Sequence, residues 1–318
     1  AIVALAVIIV FNIWGKGMFK IIPILLGVTF IVFTIMYLSP GDPATSILGE
    51  NAPIEAIEAL REEMGLNRPF IFQFFSYVYN VFFKFDLGRS YVSNRVVLTE
   101  ILSRLPNTIK LASLSVFFAT LFGIPLGVLS STKPYSKTDN ATMFVSLLGV
   151  SMPTFWQALL LIILFSANLK WLPSTGFESW QQMILPVFAL TTSSMGTIAR
   201  ITRSSMLDVL DQDYIRTAQA KGVKDSQVIS VHALRNALIP IVTVVGLQFG
   251  ALLGGAVLTE TIFSINGLGT MMVNAIRQRD AMIVQGGVLF IAFIFTLVNL
   301  GVDVLYAYID PRIRSQYK

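Results

Sequence analysis

The 318-residue chain has no cysteine and a single histidine, His232. The first absence excludes a disulfide framework, a thiolate nucleophile and any cysteine metal site, and the second removes multi-histidine metal sites. Charge is scarce too. Asp, Glu, Lys and Arg make up 13% of the chain, against about a quarter in a soluble domain. No G-x-x-x-x-G-K-[ST] phosphate loop occurs. What fills the chain is apolar: 54% hydrophobic residues, gathered into long runs. A membrane-crossing helix needs about 20 mostly apolar residues, and several windows meet that. The short alternating segments of a membrane barrel are absent. The pattern predicts an all-α polytopic protein surrounded by lipid bilayer. The net charge of +5 fits lysine and arginine in cytoplasmic loops and gives no reason to expect nucleic acid as a partner.

Residues 1–18 read as an N-terminal extension. Its run "AIVALAVIIVFNIW" is apolar, but 14 residues at helical rise cover only about 21 Å of a hydrocarbon core near 30 Å. Residues 19–38 form the first span, ended by "SPGDP", which cannot continue a helix. Residues 39–106 form an outer segment. Within it, "APIEAIEALREEMG" predicts a helix from Pro53 to a stop at Gly65, and the aromatic run "FIFQFFSYVYNVFFKF" suits a membrane interface. Residues 107–318 form the core, with spans at about 107–130, 141–169, 183–201, 237–259 and 283–306. Lys133, Lys137, Arg200, Arg203, Arg216, Lys221, Lys224, Arg235, Arg312, Arg314 and Lys318 then fall on one side, with Lys16 and Lys20. Positive residues mark the cytoplasmic side, so both termini are expected there and the 39–106 segment outside.

Between spans four and five lies a polar stretch, 205–235. "SSMLDVLDQDYIRTAQA" reads as one helix with Asp208, Asp211 and Asp213 on its polar side. Gly222 breaks it, and "KDSQVISVHALRNAL" starts a second helix leading to Pro240. Connections between helices usually take about 2–8 residues. A helix, a glycine corner and a second helix make a projecting element of the kind that docks in a partner's groove.

That stretch, "DQDYIRTAQAKGVKDSQVISVHALRNALIP", resembles the cytoplasmic EAA loop of bacterial ATP-binding-cassette importer permeases. The chain is similar to their dipeptide/oligopeptide/nickel branch from about Met18 onward. "LSPGDP", "LGRSYVSNRVVLTEILSRLPNT", "SMPTFWQALLL", "ARITRSSMLDVL", "ETIFSINGLG" and "YIDPRIR" carry the likeness together. Against the general EAA pattern, Arg216 and Thr217 stand where Glu and Ala are usual, Ala218 and Gly222 match, and Pro240 lies five residues beyond the expected proline near Arg235.

The resemblance implies a six-helix type I importer permease fold with an outer loop domain between helices 1 and 2, in a bacterial inner membrane. It implies a homologous second permease, two ATPase subunits and an extracytoplasmic solute-binding protein as partners. No cofactor is expected on this chain; ATP and Mg would bind the ATPases, where hydrolysis would occur, so the chain itself is no enzyme. Arg216, Thr217, Ala218, Ala220, Lys221, Gly222, Lys224 and Asp225 are the expected ATPase-coupling residues. Short peptides are the expected cargo, with nickel complexes or glutathione as alternatives.

In span five, Gly246, Gly250 and Gly254 recur every four residues on one helix face. Small residues so spaced admit close helix approach, either within the chain or against the second permease across the path. Gln248 and Thr259 are candidate polar liners. Glu260, placed at the membrane interface, and Phe263, Gly267 and Gly269 form a candidate outer gate or loop, with structural pinning as the plainer role. An ion-coupled carrier would keep buried carboxylates along its path, and few are present. An intramembrane hydrolase lacks a nucleophile, base or metal set. A passive channel leaves the 205–235 stretch without a role.

Overall fold

The computed structural model describes residues 21–38, 42–49 and 51–309; the expected 1–18 extension lies outside them. All regular elements among the described residues are helical, apart from an isolated antiparallel bridge between Arg89 and Val96. The chain divides into two compact units.

The first unit comprises residues 1–106 and 267–296. It contains α1 (Ile21–Leu38), α2 (Pro43–Leu48), α3 (Ile54–Glu63), α4 (Phe70–Lys84), the start of α5 (Val97–Thr132), α13 (Leu268–Arg277) and most of α14 (Ala281–Ile309). Its core joins Phe33 of α1, Tyr77 and Val81 of α4, Ile101 of α5, Met271 of α13 and Leu289 of α14. The outer segment therefore folds with a stretch nearly two hundred residues later in the chain.

Local chemistry sets the α2 boundary. Asp42 accepts from the Thr45 amide at 3.0 Å and the Thr45 hydroxyl at 2.6 Å, and Pro43 occupies the first turn, where a missing N–H costs nothing. Arg61 of α3 reaches the same carboxylate at 3.0 Å. Burial pushes the Asp42 pKa up, but the Arg61 and Thr45 hydrogen bonds outweigh it and hold the carboxyl below its ordinary value. The connection before α5 is pinned by the buried Asp280, which accepts from the Ser90 hydroxyl and from the Tyr91 amide at 3.2 Å.

The second unit comprises residues 107–266 and 297–318. It holds the rest of α5, then α6 (Lys137–Ser151), α7 (Thr154–Leu161) running into a π-helical segment (Ile162–Asn168), and α8 (Trp180–Leu210). After these come α9 (Asp213–Ala220), α10 (Asp225–Gln227), a second π-helical segment (Val228–Ala233), α11 (Leu234–Gly255) and α12 (Val257–Ile262). Small residues let the long helices close on one another: a Cβ on Gly127 of α5 would meet the Ala199 carbonyl of α8 at 2.6 Å.

Among the described residues, four helical stretches are long and apolar enough to cross a membrane: Val97–Thr132, Trp180–Leu210, Asp225–Gly254 and Ala281–Val302. The apolar part of α1, Pro23–Leu38, is shorter. The stretch read as one span over 141–169 holds two helical pieces, α6 and α7 with its π-helical continuation, bent by 97°, the form of a broken span or a re-entrant loop. Pro153 explains the bend, because it has no N–H for the Gly149 carbonyl and disfavours helix at the residue before it. Gln157 supplies the missing donor: its Nε2 reaches the Gly149 and Met152 carbonyls, each at 3.1 Å.

Candidate functional site

The 205–220 run is not one helix. Helix α8 ends at Leu210, Gln212 is extended (ψ 147°), and α9 starts afresh at Asp213. The break turns the eight residues of α9 away from the α8 axis. What seats α9 is Ile215, 1% exposed, packed in a cluster with Met206 of α8, Val228 and Ala233 of the π segment, and Ala237 and Ile241 of α11. Ala218 and Val223 pack against the same cluster.

The other face of α9 is open. Arg216, Thr217, Ala220, Lys221, Gly222, Lys224 and Asp225 are all exposed, so of the eight expected coupling residues only Ala218 turns inward. Arg216 bonds the exposed Asp211 at 2.9 Å. Gly222 adopts φ +78°, a left-handed conformation that side chains with a Cβ disfavour, with nothing within 4 Å of where a Cβ would sit. Around it the Val223 amide reaches the Ala218 carbonyl at 3.3 Å and the Gly222 amide the Gln219 carbonyl at 2.9 Å, closing the helix end. Asp225 then opens α10, its charge favourable at a helix N-terminus. The result is a short, anchored, exposed helix with a tight glycine corner.

Two determinants of this end of the unit escape a reading by residue type. Ile215 is one apolar residue in a polar run, and only the cluster beneath it reveals its role. Arg203, counted in sequence as a cytoplasmic positive charge, forms an ion pair with Asp139 at 2.6 Å, Asp139 being 1% exposed. Both residues lie just outside the expected spans, so nothing in the sequence marks them as a pair.

In α11, Gly246 faces its own chain: a Cβ there would overlap Val302 of α14. Close intrachain packing accounts for this glycine. Gly250 is buried, while Gly254 and Gln248 are half-buried. Thr259 is 1% exposed and its hydroxyl has no hydrogen-bond partner among the described residues.

Glu260, expected at the interface, is 1% exposed. Thr108 of α5 donates to Glu260 Oε1 at 2.7 Å, and the Ile265 amide closes the turn onto the Glu260 carbonyl at 2.8 Å. Phe263 is 1% exposed, and its carbonyl takes the Gly176 amide at 2.8 Å. In the first unit, Gly267 caps α13 and Gly269 is buried within it. These four residues are packed parts of their own units, none of them a loose loop.

Long apolar helices with an anchored polar helix inserted between two of them define a multi-pass helical membrane protein. Two solved structures share the fold. A chain of the inward-facing MetNI methionine ABC transporter matches with TM-score 0.55 at 18% identity, covering 67% of this chain and 97% of its own. A chain of an amino acid ABC transporter with histidines matches with TM-score 0.52 at 18% identity, covering 68% and 94%. The fold is the type I ABC importer permease fold.

Residues 123–315 match the family described as binding-protein-dependent transport system inner membrane component, and residues 15–112 match its N-terminal counterpart. The dipeptide transport system permease protein DppB of Alkalihalophilus pseudofirmus is 45% identical over 94% of this chain and 98% of its own length. A putative peptide transport system permease of Brucella abortus is 44% identical, and the glutathione transport system permease GsiC of Escherichia coli 42% identical, over 94% of this chain in each case. The chain belongs to the binding-protein-dependent transport system inner membrane components, and is a permease subunit of an ABC importer.

Proposed function

We propose that this permease forms half of the translocation pathway for short peptides and takes its drive from a separate ATPase through the α9 corner. The coupling reading rests on one observation: α9 is fixed to the helical core by Ile215 while Arg216, Thr217, Ala220, Lys221 and Gly222 are exposed on its other side. A helix so held transmits a push from an ATPase to α8 and α11, which supply the rest of the cluster. ATP and Mg bind the partner ATPases on this reading. A second, homologous permease supplies the other half of the path, and an extracytoplasmic binding protein delivers cargo.

The termini and 205–235 face the cytoplasm, and 39–106 faces outward, as the lysine and arginine distribution favours. Peptide cargo is supported by the peptide permeases among the relatives, and the glutathione permease supports a second reading, since glutathione is itself a small peptide.

A cysteine placed at Lys221, in a chain with none of its own, tests the docking. With a second cysteine in the groove of the cognate ATPase, cross-linking in membranes should occur and change in yield with ATP. No cross-link from Lys221, Ala220 or Lys224, with the ATPase present and folded, removes the coupling role. Competition for uptake between labelled dipeptides and glutathione separates the cargo readings.

A further inference from the structure

We infer that α4 is an in-plane helix of the outer membrane interface, its exposed aromatic face resting in the lipid of the outer leaflet. The inference rests on the proposed topology, in which α1 crosses the membrane and the 39–106 segment lies outside.

Helix α4 carries one narrow polar stripe, Gln73, Ser76 and Asn80, and is apolar or aromatic around the rest of its surface. One face packs inward through Phe70, Phe74, Tyr77 and Val81. The opposite face exposes Phe72 (67%), Phe75 (64%), Tyr79 (54%) and Phe83 (73%), spaced by three and four residues along one stripe. A helix of a water-facing segment has polar residues on its outer face, as neighbouring α3 does with exposed Glu55, Glu58, Glu62 and Glu63. Across its 15 residues α4 has a single charge, Lys84, at the C-terminal end, and Lys84 Nζ lies 5.4 Å from the Tyr79 ring. Rings amphipathic enough for both phases and a terminal lysine able to reach headgroups are the chemistry of an interfacial helix.

The contacts with α1 give the depth. Phe70 of α4 meets Phe30, Phe33 and Tyr37 of α1, with centroids 6.2, 5.5 and 4.9 Å away. Phe33 of α1 in turn meets Phe70, Phe74 and Tyr77 of α4. One residue of each helix touches successive turns of the other, so the contact is centred near Phe33, five residues before the last residue of α1, about 7.5 Å along the axis. Interfacial helices sit about 5–10 Å into the boundary between headgroups and acyl chains. The exposed surface of α1 is aliphatic, with Ile24, Ile31, Ile35 and Leu38, so the aromatic face of α4 extends a surface already suited to lipid. At about 22 Å, α4 is too short to cross the hydrocarbon core itself.

The absence of cysteine makes the test direct. Nitroxide labels are placed singly at Phe75, Tyr79 and Phe83, with references at Ile35 on α1 and Glu62 on α3. The whole transporter is reconstituted in phosphatidylethanolamine/phosphatidylglycerol nanodiscs, ATPase activity serves as the folding check, and relaxation by oxygen is compared with relaxation by a water-soluble nickel chelate. The α4 labels are expected to favour oxygen and to report depths within about 5 Å of one another, while Glu62 favours nickel. Nickel-dominated relaxation at the α4 positions means they face water and overturns the inference. Protection from both agents means protein covers them, and overturns it as well. A depth rising steadily from Phe75 to Phe83 overturns the in-plane orientation. If Ile35 itself fails to favour oxygen, the topology falls and takes the inference with it; if Ile35 behaves as lipid-facing, failure at α4 is failure of the inference alone.

Discussion

Arg203 grips Asp139 with two parallel hydrogen bonds, Nε to Oδ1 at 2.6 Å and Nη2 to Oδ2 at 2.7 Å. The remaining capacity of the carboxylate is taken by the Ser130 hydroxyl and by the Tyr135 amide at 2.7 Å. One buried side chain thus joins the end of α5, the turn after it, the first turn of α6, and α8 one turn before Met206 enters the cluster beneath α9. Removing one member of a buried pair leaves the other uncompensated, at a cost of about 3–5 kcal/mol. Asp139→Ala should therefore lower the thermal midpoint of the purified transporter sharply, read by the melting of intrinsic fluorescence. Arg203→Lys should recover little of what Arg203→Ala loses, because an ammonium cannot reproduce the two-point grip. Equal stability of the lysine variant and the wild type would show that the fork geometry is dispensable.

Ile215 carries the second prediction. Ile215→Ala empties a buried site under α9, a change that costs about 2–5 kcal/mol in cores. Because the loss falls on the helix proposed to meet the ATPase, uptake should drop by more than ATP hydrolysis does. An equal fall in both would place the defect in assembly of the complex and not in coupling.

Gly222 gives a milder test in the same segment. A Cβ there meets no atom within 4 Å, so Gly222→Ala suffers only the left-handed backbone, about 1–2 kcal/mol. Asn tolerates that conformation better. Uptake should rank glycine above asparagine above alanine, measured at matched expression.

At Gly246 the constraint is a neighbour. Gly246→Ala drives a methyl group into Val302, and overpacking of this kind costs about 1–3 kcal/mol. Val302→Ala should be a partial suppressor when combined with it, seen as a thermal midpoint above that of Gly246→Ala alone. A pathway-lining role for this glycine predicts no such rescue.

The Asp42 carboxyl provides a pH signature outside the membrane. Its pKa is held below the ordinary value, so its contribution to holding α2 and α3 is complete above the unfolded value of 3.8 and is lost as pH falls through the lower folded value. The protection factor of the Thr45 amide, corrected for the intrinsic exchange rate at each pH, should be lower than wild type at neutral pH in Asp42→Asn and should fall less on acidification. Identical acid responses of the two proteins would assign the loss to other groups.

The long apolar spans were legible because lipid imposes a simple composition over 20 or more residues. The glycine corner was legible because Gly222 interrupts a polar helical pattern. Less visible were features set by tertiary contact. The helix break at Gln212 carries no proline or glycine, and α9 separates from α8 there because Ile215 is drawn into a cluster that includes residues of α11. Glu260 was placed at the interface by its charge, yet Thr108, some 150 residues earlier in the chain, gives it a buried partner. Asp280 and the Ser90 turn form the same kind of pair, invisible without the fold. Pro153 did announce a change of direction, but inside an apolar run it was absorbed into a single span.

That bend has a consequence for where polar side chains are tolerated in the bilayer. Mid-membrane there is no solvent to satisfy a carbonyl whose amide partner has been replaced by a proline ring. By donating to both Gly149 and Met152, Gln157 does for the backbone what water does at a kink in a soluble protein. The glutamine is therefore a condition of the turn and not a sign of a polar route through the membrane. A polar residue in this span is explained by the backbone beside it before any cargo is invoked.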